Sequence, residues 1–81
     1  MDEGLRAALD LLEGMIARQE AKVLSLAREL MPGLTGEDLR NPHDFAPLRA
    51  SEQFNFEDGI LAGYLSARMA LACELNRKET P

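Results

Sequence analysis

Between residues 3 and 31 apolar side chains return at Leu5, Leu9, Leu12, Ile16, Val23, Leu26 and Leu30, alternating steps of four and three around one polar place, Gln19. That period is the seam of an amphipathic helix, and it predicts one helix over 3–31. Leu11, Met15, Leu24, Ala27 and Met31 widen the stripe beyond what a single neighbour needs, which points to bundle packing. Arg6, Asp10, Glu13, Arg18, Glu20, Lys22, Arg28 and Glu29 form the wet side. Gly14 is the weak point of the helix. Pro32-Gly33 ends it: proline lacks the backbone donor and glycine accepts a left-handed conformation.

A second periodic stretch predicts a helix over 56–77. Its clearest line is Gly59, Gly63, Ser66, Ala70 and Cys73, again in steps of four and three, and every member is small. Small side chains let helix axes approach closely. Interior glycine costs a helix about 1 kcal/mol relative to alanine, so two on one line call for a compensating contact. Ile60, Tyr64, Leu71 and Leu75 flank this line on one side, and Leu61, Leu65, Met69 and Ala72 on the other. A helix apolar on nearly every side is normally buried. Asn55 is the expected N-cap, followed by Glu57 and Asp58 in the first turn, where negative charge suits the helix dipole. Arg77 and Lys78 suit the other end, and 78–81 is expected to fray.

The 24 residues between, 32–55, are too many for a structureless loop in so short a chain. Thr35-Gly36-Glu37-Asp38 reads as a capping box, and Asn41-Pro42-His43-Asp44 as a second helix start, so short helical turns are predicted at 36–40 and 43–49. Leu34, Leu39, Phe45 and Leu48 should tuck beneath them. All three phenylalanines, Phe45, Phe54 and Phe56, fall in twelve positions here. They form either a plug closing one end of the bundle or an exposed aromatic hook for another protein, and the plug is the expectation.

The fold class is therefore all-α: a long helical hairpin with a partly helical connection, in one 81-residue domain. Two helices with apolar surface in several directions cannot hide it all in one hairpin. The expectation is a homodimer forming a four-helix bundle, with Gly59, Gly63, Ser66, Ala70, Cys73 and Gln19 on the dimer seam. Gln19 either pairs with its symmetry mate, fixing register, or reaches water at the seam's edge.

Composition narrows the partners. A formal net charge of −5 argues against direct contact with nucleic acid or an anionic membrane. It leaves room for an acidic dimer that masks a basic partner. The apolar run 60–73 is too short to span a bilayer and contains Arg68. Met-Asp-Glu at the start is acidic where a secretion signal is basic, so a cytoplasmic location is expected. The single cysteine, Cys73, cannot form an internal disulfide and reads as a small buried hydrophobe in a reducing compartment.

Candidate chemistry is thin. His43 beside Asp44 is the only pair able to relay a proton, and no nucleophile accompanies it. Glu37, Asp38, Asp44, Glu57 and Asp58 gather near one end, but without Glu-x-x-His pairs or a calcium-loop pattern. Tyr64 and Arg68 share a helix face, as an interface-edge pair or a cation–π contact. No cofactor or resident metal is expected, and the balance leans away from an enzyme. The reading is a protein-interaction or scaffold module whose partner site is the connection end: Asn41, His43, Asp44, Phe45, Phe54, Phe56, Glu57 and Asp58. The alternative is a bundle binding a small molecule or divalent metal through His43 and neighbouring acids.

Overall fold

A computed structural model describes residues 2–79, and Met1, Thr80 and Pro81 lie outside it. Helix α1 runs unbroken over Glu3–Leu30, through Gly14. Asp2 caps it, its carboxylate accepting from the Leu5 backbone N–H at 2.8 Å. At the other end the Met31 N–H returns to the Ala27 carbonyl at 2.8 Å. Met31-Pro32-Gly33-Leu34 then forms a tight turn: Gly33 sits at φ +94°, and the Leu34 N–H reaches the Met31 carbonyl. Proline second and glycine third is the chemistry of a type II turn, whose third residue needs a positive φ.

Two single 3₁₀ turns follow, Asp38–Arg40 and Pro42–Asp44, and then a one-turn helix α2, Ala46–Arg49. The Thr35–Asp38 box is formed: Asp38 Oδ2 accepts from the Thr35 N–H at 2.9 Å, and Thr35 Oγ1 from the Asp38 N–H at 3.3 Å. Asn41, expected to cap the second turn, makes no side-chain cap bond. Pro42 and the carbonyl-to-amide bonds of the turn itself suffice there.

Helix α3 spans Glu52–Glu79, four residues earlier than the periodicity predicts. Ser51 is the cap, its hydroxyl oxygen accepting from the Phe54 N–H at 3.1 Å. Asn55 lies inside the helix instead. Its amide donates back to the carbonyls of Leu48, Arg49 and Ser51, at 3.3, 3.0 and 2.7 Å, and ties α2 to the start of α3. The far end also departs from the expected fraying at 78: Lys78 pairs with Asp2 at 3.0 Å and Glu79 with Arg6. The rest of that predicted tail, Thr80 and Pro81, lies outside the described residues.

α1 and α3 pack as an antiparallel pair, with Asp2 opposite Lys78 and Glu13 opposite Arg68. The molecule measures 48 × 20 × 18 Å, and its radius of gyration is 15.4 Å. A compact chain of this length would have a radius near ~12 Å. It is a rod, so much apolar surface stays near water. The core is correspondingly lopsided. Val23, Ala27, Leu34, Leu48 and Phe54 form one buried cluster at the connection end, with Met31, Leu39, Phe45 and Leu61 packed against it. Phe45 and Phe54 thus act as the plug. Phe56 does not: it is 68% exposed, one turn along α3 on the outer side.

Candidate functional site

The sequence-predicted partner residues occupy three distinct environments at the connection end. Phe54 is 1% exposed and serves the core. Asn41, His43, Asp44 and Phe56 are exposed on the surface. Glu57 and Asp58, neighbours in sequence, face different sides and carry different electrostatics.

Glu57 is only 7% exposed, the one buried charged residue among those described. Lys22 reaches its carboxylate at 2.7 Å, and the Gln19 amide donates to its Oε1 at 3.0 Å and to its backbone carbonyl at 2.9 Å. Gln19, expected on an intermolecular seam or in water, is therefore engaged within the chain, locking α1 to α3. The Lys22 and Gln19 hydrogen bonds hold the Glu57 carboxyl below its ordinary range, against an opposing push from burial. Such a depressed acid stabilises the fold above its unfolded pKa, near 4.5, and that stabilisation is lost as pH falls through the folded value. Glu57→Gln should therefore melt lower than the parent at neutral pH. The difference should close as the pH falls below the ordinary glutamate range, as thermal melts followed by circular dichroism from neutral to acid pH will show.

Asp58 is the contrast. Half-buried, it has no ion pair or side-chain hydrogen bond among the described residues. Burial pushes its carboxyl above the ordinary aspartate range, with the charge of His43 acting in the opposite direction. Asp58 lines a groove of about 780 Å³ between α1 and α3, roofed at one end by the connection. Leu24, Leu39, Leu61 and Leu65 form its apolar walls. A shallower depression beside Ala21 and Leu24 continues along the outer surface of α1 alone.

The small-residue line lies elsewhere. Facing α1, α3 presents Phe54, Glu57, Leu61, Tyr64, Arg68, Leu71 and Leu75, all buried or half-buried. Gly59, Gly63, Ser66, Ala70 and Cys73 are all exposed. At 3.6 residues per turn their line sits about 160° round the helix from the face toward α1. Among the described residues, a Cβ placed on Gly59 or Gly63 would meet nothing within 4 Å. Arg68 extends to Glu13 at 3.5 Å, the interface-edge role, while Tyr64 is half-buried beside it.

Among the described residues no three His, Cys, Asp or Glu side chains are grouped so as to hold a metal ion. His43 is exposed, and its carbonyl accepts from Arg49 Nη1 at 2.7 Å. No helix is long and apolar enough to cross a membrane among the described residues.

Fold and site together define a class: an all-α antiparallel helical hairpin with a helical-turn cap over its core. Beyond that class, the chain matches no protein-family model, no curated protein and no solved structure.

Proposed function

We propose that the chain is a protein-interaction module that works as a homodimer, two hairpins meeting along the outer face of α3 to make a four-helix bundle. The observation that carries this reading is the open glycine line. Gly59 and Gly63 each weaken an isolated helix by about 1 kcal/mol, yet no contact among the described residues uses the space they leave. A close-packed helix from a second copy supplies that use. The rod shape and the exposed Met69 add apolar surface that a second hairpin covers. In this reading the connection end, with Asn41, His43, Asp44 and Phe56 on its surface, is where a further protein engages.

The direct test is sedimentation equilibrium from nanomolar to tens of micromolar. The expected result is a reversible monomer–dimer transition, with a melting temperature that rises with concentration. A species of single-chain mass that melts cooperatively at every concentration overturns the proposal.

A further inference from the structure

We propose that the groove bounded by Leu24, Leu39, Leu61 and Leu65 docks a basic amphipathic helix from a partner protein, with Asp58 receiving a lysine or arginine of that helix. The proposal rests on reading the chain as an interaction module, but not on its dimerisation, because the groove and the glycine line occupy different faces of α3.

Geometry selects the form of the occupant. The groove runs between two helices, and its α3 wall spans Asp58 to Leu65, about two helical turns. A third helix laid between two others is the ordinary way to fill such a channel, and two turns present two or three apolar anchors at i, i+3 and i+4. Ala21, Gly36 and Ala62 line it as well, leaving room for a backbone to come close.

Charge selects its chemistry. Three carboxylates surround the groove, one from each segment: Glu20 on α1, Glu37 on the connection and Asp58 on α3. None has an ion pair or side-chain hydrogen bond to a described residue, and Arg40 is the single basic side chain in the lining. The neighbouring Glu57 shows what this chain does with a carboxylate it uses internally: Lys22 and Gln19 hold it. Asp58 has no such hydrogen-bonded partner: it sits against apolar walls, with only the charge of His43 acting on it. A desolvated carboxylate gains most from a cation brought by a partner. A side chain that lowers stability while serving recognition is the usual trade at binding sites.

The test is selection from a random 16-residue peptide library displayed on phage, against the full chain. The expected winners carry apolar residues at helical spacing on one face and Lys or Arg beside them. A synthetic winner, followed by fluorescence anisotropy, should bind at least tenfold more weakly to Asp58→Asn, although that variant melts no lower than the parent. Ala62→Lys, which fills an exposed position in the groove and reverses its charge, should abolish binding with its helical spectrum intact. No enrichment, enrichment of acidic or extended sequences, or equal affinity for Asp58→Asn overturns the inference. Failed selection by a protein that still dimerises removes the groove and leaves the dimer; peptide binding by a parent chain that stays monomeric at every concentration does the reverse.

Discussion

Phe54→Ala should remove a large share of the stability of this chain. The ring is 1% exposed and sits among Val23, Ala27, Leu34 and Leu48, so it joins both long helices to the connection. Truncating a buried phenylalanine costs about 3–5 kcal/mol, from lost burial and the cavity left behind. A chain of this length has in total about 4–12 kcal/mol. The loss falls on the buried cluster at the connection end, and along the rest of the described rod only Leu12, Ile16 and Leu75 are buried apolar residues. Urea denaturation followed at 222 nm should show a midpoint shifted far toward zero, or no folded baseline at all. Phe56→Ala is the internal control: two positions away but largely solvated, it should shift the midpoint only slightly. Equal effects from the two would contradict the assignment of the plug.

Gly63→Leu should separate folding from assembly. No described residue comes within 4 Å of a Cβ placed at this position. Leucine is the better helix former by close to 1 kcal/mol, so the isolated hairpin should melt no lower. In the proposed dimer the same change wedges two closely packed helices apart, and in a two-fold contact it acts twice. Overpacking costs about 1–3 kcal/mol per site, which raises the dissociation constant at least roughly thirtyfold. Sedimentation equilibrium measures that constant directly. A variant that dimerised as tightly as the parent and melted higher would put the contact on another face.

Some of this structure was written plainly in the residues. The heptad of α1, the Pro32-Gly33 stop and the Thr35–Asp38 box each rest on short-range physics, and each stands within a residue or so of its expected place. The start of α3 was not, because Ser51 and Asn55 are both good capping residues. Glu57 and Asp58 favour Asn55, whereas in the fold the Asn55 amide is needed by the carbonyls of α2. The face of α3 that meets α1 was hidden for a different reason. It includes Glu57 and Arg68, polar residues that break the apolar line, and their partners Gln19, Lys22 and Glu13 lie 35 or more positions away. Periodicity therefore picks out the small-residue line, which faces outward. The groove around Asp58 could not be anticipated either, since its walls come from three segments whose register only the folded chain defines.

The antiparallel arrangement has a mechanical consequence. Asp2 and Lys78 hold the open end of the hairpin, while the well-packed cluster lies at the opposite pole. Tension applied across that open end would peel the helices apart one contact at a time, beginning with exposed ion pairs that yield to weak force. The same pull applied along the rod's length would have to shear many contacts at once. Such a body is compliant in one direction and stiff in the other.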